Sequence, residues 1–194
     1  MPEIKALRGA SVKAAGGDRR IRRSRAALTA AFSELALERS YPDIGIRDVA
    51  ERANVGRSTL YSHFSDIDDL LAQSLDPQLS TIARCSVEPE MKPELGLIIT
   101  HFWDQRSIAR TMLRGDAGAA ITRLLVRHLE EALLGLRRAH KSRSSLPVIL
   151  VAEQLAAGQL AMLGTWLAGR APAPSGDMAQ LLHKTSYAAA MASL

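Results

Sequence analysis

Residues 46–64, IRDVAERANVGRSTLYSHF, constrain the fold of this chain more than any other segment. Their apolar side chains recur at helical spacing, but the run NVG interrupts the pattern after about two turns. Asn54 tolerates the left-handed backbone conformation that ends a helix and reverses the chain. The segment therefore predicts two short helices, at about 46–53 and 57–63, joined by a tight turn.

The apolar residues of this segment predict how the two helices pack. Ala50 is small enough for a close helix crossing, and Val55 follows the turn residue and is expected to fill the inside of the turn. This arrangement is typical of a helix-turn-helix motif. The predicted buried positions are Ile46, Val49, Ala50, Ala53, Leu60 and Phe64.

The second helix of the motif begins with polar residues at the surface. Its free N–H groups and the positive end of its dipole favour a phosphate or a base edge. Arg57, Ser58 and Thr59 stand at this end, where a recognition helix in a DNA major groove places its base-reading side chains.

The net charge of +5 lies entirely in the first third of the chain. Residues 1–64 hold 12 Lys and Arg against 7 Asp and Glu, whereas the remaining residues hold 13 of each. A basic end on a neutral body indicates a polyanionic partner for that end. A solvated tail without a partner is the alternative that charge alone leaves open.

The segments around the motif read as helices with clear breaks. Residues 1–17 are small, polar or basic and predict a disordered basic arm, after which Asp18 caps a helix running to about Arg39. A further helix begins at Ser65 or Asp66. Its acidic residues at 66, 68 and 69 are interpreted as helix caps rather than as a metal site.

The rest of the chain predicts longer helices and no sheet, because no segment alternates with period two. Asp76-Pro77 is read as the cap and first residue of a new helix. The fold class is therefore all-α, with about nine helices or more. The remaining helices are predicted at about 77–87, 93–104, 106–113, 117–141, 147–168 and 177–192.

Several function classes find no support in the sequence. The single cysteine, Cys85, forms no intrachain disulfide and is expected to be a reduced, buried thiol. No apolar run reaches the roughly 20 residues of a membrane span, and the first 20 residues are basic without an apolar h-region, so we expect no secretory signal. No catalytic motif, metal-ligand spacing or cofactor loop appears. We therefore expect a cytoplasmic protein that is not an enzyme, without metal, cofactor or membrane partner.

Three runs together, RRIRRSR, AALTAAFSELALERSY and IRDVAERANVGRSTLYSHFSDIDDLL, carry a resemblance to a known family. They resemble the DNA-binding domain of the tetracycline-repressor-like (TetR) transcription regulators, specifically over about residues 19–72. The resemblance implies a three-helix helix-turn-helix domain followed by a helical ligand-sensing and dimerisation domain. The predicted organisation is an arm (1–17), a DNA-binding domain (18–64), a connecting helix (65–76) and a sensing domain (77–194).

The resemblance also implies DNA-contacting residues. Arg57 and Ser58 match the base-reading positions. The positions that match backbone-contacting residues are Arg47, Thr59, Tyr61 and His63. Packing is the alternative for Tyr61, and ending the helix is the alternative for His63. Arginines before the first helix are expected to attract phosphates without specificity; they are Arg19, Arg20, Arg22, Arg23 and Arg25.

Two positions depart from the family pattern. Gly45 stands where a Ser or Thr often reaches a phosphate, and Ile67 stands where a Lys usually helps to hold the backbone. These departures put the affinity for DNA in doubt more than the function.

By resemblance, the chain is a regulator, with repression as the expected role, that binds double-stranded palindromic DNA as a homodimer and is released by a small-molecule effector. The predicted dimer residues are Leu155, Gly158, Ala161, Met162, Thr165, Leu181, Leu182 and Tyr187. The predicted effector-binding residues are His101, Phe102, Trp103, Arg106, Met112 and Met162. For both sets, packing within one protomer is the alternative. A protein-interaction module that retains the motif without specific DNA binding is the alternative function.

Overall fold

The structure is a computed structural model that describes the backbone of residues 3–194 and the side chains of residues 19–194. Over residues 3–194 it contains nine α-helices, one short 3-10 helix and no β-strand, which confirms the predicted all-α fold. The elements are α1 (Glu3–Glu38), the 3-10 helix (Tyr41–Asp43), α2 (Ile46–Arg52), α3 (Arg57–Tyr61), α4 (Ile67–Cys85), α5 (Pro93–Asp104), α6 (Arg106–Met112), α7 (Gly115–His140), α8 (Val148–Leu167) and α9 (Ser175–Met191).

The chain divides into two compact units between Leu70 and Leu71. We call them the N-terminal unit and the C-terminal unit. The N-terminal unit holds α1, the 3-10 helix, α2, α3 and the start of α4, and the C-terminal unit holds the remainder.

The predicted start of the first helix is wrong. Asp18 was expected to cap this helix, but α1 begins at Glu3 and its backbone is helical across Asp18. Residues 4–15 consist mainly of Ala, Leu, Lys and Arg, which have a high helix propensity. This propensity outweighs the cost of about 1 kcal/mol for each of the glycines that follow. The side chains of the predicted arm, residues 1–17, lie outside the described part of the chain.

The predicted helix boundary at Asp76-Pro77 is also wrong, because α4 runs through it with Pro77 inside the helix. A proline in a helix interior costs roughly 3 kcal/mol. Apolar side chains on both sides of it are buried, and each contributes about 1.5–3 kcal/mol. Together they outweigh the cost; they are Leu70, Leu71, Leu79 and Ile82. The connecting helix and the first helix of the predicted sensing domain are thus one element.

The core of the N-terminal unit comes from the apolar stripe of α1 and the inner faces of α2 and α3. The stripe at helical spacing is fully buried, as its period predicts. The motif contributes four more buried side chains, whereas Ile46 and Ala53 are only partly buried. The buried residues of these three helices include Leu28, Phe32, Leu35, Val49, Ala50, Leu60 and Phe64.

The C-terminal unit is a bundle in which α8 packs against α6, α7 and α9, and α5 packs against α9. Its largest fully buried side chain is Trp166, whose indole Nε1 donates to the carbonyl of Ala173 at 2.9 Å. The helices α5 to α9 begin and end within two residues of their predicted positions. Cys85 is buried here, as expected for a small apolar thiol.

Helix α8 corrects the expectation that no segment is long and apolar enough for a membrane. Its 20 residues, Val148–Leu167, meet that requirement by length and composition. Core helices of proteins outside membranes pass the same test, and α8 buries Ala152, Leu155 and Trp166 against its neighbours.

Candidate nucleic-acid interface

The turn between α2 and α3 has the geometry that the sequence predicts. Asn54 adopts a φ of 52°, in the left-handed region. The N–H of Asn54 donates to the carbonyl of Glu51 at 3.1 Å, and the N–H of Val55 donates to the carbonyl of Ala50 at 2.9 Å. This pair of hydrogen bonds is the Schellman motif, which satisfies the last carbonyls of a helix and reverses the chain.

Helix α3 begins immediately after this turn, with Gly56 in extended conformation as its N-cap. Arg57 and Ser58 are exposed at its first two positions. Among the described residues, neither side chain forms a hydrogen bond or ion pair, which leaves both available to an external partner. Tyr61, at the last position of the helix, has 49% of its surface exposed, whereas Thr59 is partly buried.

Helix α2 carries Arg47 at its second position. The Arg47 side chain is exposed and makes no hydrogen bond or ion pair with a described residue. Gly45 caps the helix without a side chain, and its N–H donates to Asp48 Oδ2 at 3.0 Å. A Cβ at Gly45 would lie 3.3 Å from that carboxylate oxygen, which is closer than an ordinary contact, so a Ser or Thr at this cap requires the Asp48 carboxylate to shift slightly.

A bidentate arginine–glutamate ion pair links α2 to α1. Arg52 donates from Nη1 to Glu38 Oε1 at 2.9 Å and from Nη2 to Glu38 Oε2 at 2.7 Å, and it also reaches Glu34 at 3.4 Å. The hydrogen bond from Arg52 lowers the pKa of the Glu38 carboxyl, and the same bond raises the pKa of Arg52. Arg52 therefore positions the motif instead of facing DNA, a role that sequence reasoning missed.

His63 is held against α1 rather than pointing freely outward. Its Nε2 lies 3.1 Å from Ser24 Oγ, and its ring is tilted against Phe64 at a centroid distance of 6.0 Å. The Arg25 guanidinium lies 5.9 Å from the centre of the Phe64 ring, within cation–π range. The other arginines that are predicted to attract phosphates are exposed along α1; they are Arg19, Arg20, Arg22 and Arg23.

Two of the three acidic residues after the motif, Asp66 and Asp69, cap α4 as predicted, whereas the third does not. The N–H of Asp69 donates to Asp66 Oδ1 at 2.8 Å, and the N–H of Ser65 donates to Asp69 Oδ2 at 2.9 Å. Asp68 accepts a hydrogen bond from the Tyr41 hydroxyl. No group of metal-ligating side chains occurs among the described residues.

The predicted effector residues are spread over different environments of the C-terminal unit. His101 and Arg106 are exposed, and Met112 is buried. The ring of Trp103 contacts that of Trp166 at a centroid distance of 4.7 Å, with the two planes tilted by 32°. The Arg106 guanidinium lies over the Trp103 ring at 5.3 Å, while Phe102 and Met162 are partly buried.

The predicted dimer residues separate into an exposed and a buried group. Leu155 and Leu182 are buried within one protomer, so their assignment to an interface is wrong. Composition indicates an apolar helix but does not fix which side faces its own core. The remaining positions are exposed or partly exposed, with Leu181 at 51%; they are Gly158, Ala161, Met162, Thr165, Leu181 and Tyr187.

A buried polar cluster in the C-terminal unit was also missed. Gln159 Nε2 donates to Ser86 Oγ at 2.8 Å and to Ser186 Oγ at 2.9 Å, and all three side chains are buried. The single glutamine on the inner face of the apolar helix α8 is the sequence signal that marks it.

Helices α1, α2 and α3 together form a helix-turn-helix domain, the class defined by two short helices at a tight turn with a polar helix start at the surface. Residues 28–73 match the model of the bacterial regulatory proteins of the tetR family. Over these residues the chain is similar to the DNA-binding domain of TetR-family transcriptional regulators.

The chain is also similar to one relative over a short segment and to solved structures over most of its length. An uncharacterized HTH-type transcriptional regulator of Haemophilus influenzae is 38% identical over 52 residues, which span 27% of this chain and 25% of that relative. A TetR transcriptional regulator from Streptococcus agalactiae has a TM-score of 0.54 at 23% identity, covering 89% of this chain and 98% of that one. The fatty acid degradation regulator FadR from Bacillus halodurans has a TM-score of 0.52 at 12% identity, covering 83% and 96%. The two structures show a shared fold.

Proposed function

We propose that this protein is a one-component transcription regulator that inserts α3 into the major groove of an operator. The observation that carries the proposal is the exposed start of α3, where Arg57 and Ser58 have no described partner. An exposed arginine at this position is suited to bidentate hydrogen bonds with guanine O6 and N7.

The other side chains of this surface supply contacts that position the protein. Arg47 on α2 and Tyr61 at the end of α3 are exposed and suit phosphate oxygens, with Thr59 as a further donor. His63 already contacts Ser24, so a phosphate at His63 would have to share or replace that contact. The exposed arginines of α1 add charge that attracts DNA of any sequence.

The protein acts as a homodimer in this proposal. Exposed small residues on α8, including Gly158 and Ala161, allow a second copy to approach closely. Leu181 adds an exposed apolar side chain on α9. A two-fold dimer would present two copies of α3 to a palindromic site, with the half-sites spaced by about one helical turn or a multiple.

Regulation would come from a small-molecule effector in the sensing domain, residues 77–194, with repression as the default role. The effector must bind the arrangement that is incompetent for DNA more tightly, because it can shift the equilibrium only by that difference. Helix α4, which continues from the DNA-binding domain into the C-terminal unit, is the element suited to transmit the change. A cytoplasmic location and the lack of an enzymatic activity are part of the same proposal.

The experiment is a selection of bound fragments from the source genome by the purified full chain at near-physiological salt. Recovery of one short palindromic sequence supports the proposal and supplies the operator for the assays below. Recovery of random fragments alone contradicts operator binding and favours the alternative, a protein-interaction module that retained the motif.

A matched pair of variants separates these functions. Arg57→Ala should abolish enrichment of the palindrome, whereas Arg123→Ala, which removes an exposed arginine of α7, should leave it unchanged. A protein-interaction module would retain its partner in both variants.

A further inference from the structure

A groove of about 600 Å³ lies on the C-terminal unit between α6, the start of α7 and α8. Its volume falls within the range of small-molecule sites in proteins, roughly 300–1,000 Å³. Apolar side chains and small residues form part of its lining, including Leu113, Leu160, Ala161, Gly164 and Ala168.

Three arginines line the same groove, and no carboxylate lines it. Arg110 comes from α6, Arg114 is the N-cap of α7, and Arg170 follows α8. Arg170 donates from Nη2 to Thr165 Oγ1 at 3.3 Å, which holds its guanidinium on the groove wall. Arg110 and Arg114 form no ion pair with any residue whose side chain is described. The groove therefore carries a positive charge that no lining residue neutralises.

Two of these arginines, Arg110 and Arg114, flank the turn between α6 and α7, where the backbone is closely packed. Gly115 has a φ of +55°, a conformation that other residues rarely adopt. A Cβ on Gly118 would lie 2.7 Å from the carbonyl oxygen of Leu113, so only glycine fits where the first turn of α7 crosses the end of α6. The N-terminus of α7 begins at Arg114, but Asp116 in its first turn offsets the positive dipole end, so the preference for an anion comes from the three arginines.

We propose that this groove binds an organic anion with an apolar body. The three guanidiniums would hold a carboxylate or phosphate head, for which the planar fork of arginine is matched, and the apolar body would lie along Leu113 and Leu160. The proposal deepens the proposed function by naming the chemical class of the effector. Ala161 and Thr165 belong both to the groove and to the proposed dimer face, so a bound anion changes the surface that a second copy meets.

The experiment is isothermal titration of the full chain with four probes, without DNA. Octanoate and octyl phosphate carry the two anionic heads, octanol has the same apolar body without charge, and inorganic phosphate has no apolar body. We expect one of the octyl anions to bind at least about tenfold more tightly than octanol and than inorganic phosphate. The tighter of the two anions identifies the head group.

Variants locate the binding in the groove. Arg114→Gln and Arg170→Gln should each weaken binding of the octyl anion by about five- to tenfold, because each removes a charged hydrogen-bond donor. Arg123→Gln, an exposed arginine of α7 outside the groove lining, should bind as the wild type does. Circular dichroism of each variant verifies that its fold is retained.

Three results would overturn the proposal. They are equal affinity for octanol and the octyl anions, no binding of any probe, or unchanged anion affinity in both groove variants. In the third case, a change of the dimer dissociation constant in the same variants would assign the groove to a second copy. Because no DNA is present, failure to recover an operator leaves this measurement unaffected, so the two failures remain distinguishable.

Discussion

Replacement of Asn54 tests the turn on which the helix-turn-helix geometry depends. With a φ of 52°, this residue occupies the left-handed region, which costs an ordinary side chain roughly 1–2 kcal/mol. Asn avoids part of that cost, so Asn54→Ala should lower the free energy of unfolding of the N-terminal unit by about 1 kcal/mol. Gly removes the strain but loses backbone entropy worth roughly 0.5–1 kcal/mol, so Asn54→Gly should stay near the wild type.

The assay is urea unfolding followed by two probes. Both tryptophans, Trp103 and Trp166, lie in the C-terminal unit, so their fluorescence reports on that unit while far-UV circular dichroism reports on both. A loss of about 1 kcal/mol moves a midpoint by roughly 0.3–1 M urea. The shift should appear in the dichroism transition of the N-terminal unit and be absent from the tryptophan transition.

Glu51→Ala is the matched control, because Glu51 is an exposed residue of α2 with helical backbone, and such changes usually stay within about 0.5 kcal/mol. Two results would contradict this expectation: a urea midpoint of Asn54→Ala equal to that of the wild type, or a lower midpoint for Asn54→Gly than for Asn54→Ala. Either result would mean that the left-handed backbone at this position does not limit the turn.

Three further predictions concern other parts of the molecule. Arg47→Ala should flatten the slope of log affinity against log salt by about 0.9 without changing base preference, measured by fluorescence anisotropy, whereas Arg123→Ala should leave the slope unchanged. Burial raises the pKa of the Cys85 thiol, so Ellman's reagent at pH 8 should react with this thiol only after unfolding. The protonated thiol contributes to the free energy of unfolding below its ordinary pKa. This contribution is lost as the pH rises through the raised pKa of the folded state. Gly118→Ala should lower the melting temperature by roughly 2–12 °C, because overpacking costs about 1–3 kcal/mol, whereas Gly135→Ala, with open space around its Cβ, should not lower it.

Each of these predictions has a contradicting result. An unchanged salt slope in Arg47→Ala would show that this arginine makes no phosphate contact. Rapid labelling of Cys85 in the folded protein would contradict its burial. A melting temperature of Gly118→Ala equal to that of the wild type would mean that the corner between α6 and α7 yields easily.

Local signals made the helix-turn-helix predictable from the sequence. The reversal at Asn54 and the restart at Arg57 depend on residues adjacent in the chain, so their chemistry alone specifies the turn and the helix start. The caps of α4 were predictable for the same reason, since Asp66 and Asp69 lie within one turn of the groups they accept from.

Features that depend on distant residues were not predictable. The continuation of α4 through Pro77 reflects burial of leucines on both sides, which outweighs a strong local signal to stop. The exposed and buried sides of α8 are set by packing against α7 and α9, so Leu155 was assigned to the wrong face. The arginine groove joins Arg110 and Arg170, which are far apart in the chain and share no sequence pattern.

Base reading by Arg57 at the start of α3 can be tested directly. The measurement compares the affinity for the selected operator with that for a scrambled duplex of the same length and composition, at one fixed salt concentration. We expect the wild type to prefer the operator by roughly a thousandfold or more, and Arg57→Ala to lose about 1–3 kcal/mol of this preference in each half-site. An equal loss of affinity for both duplexes, with the ratio unchanged, would show that Arg57 contacts only phosphates and does not read bases.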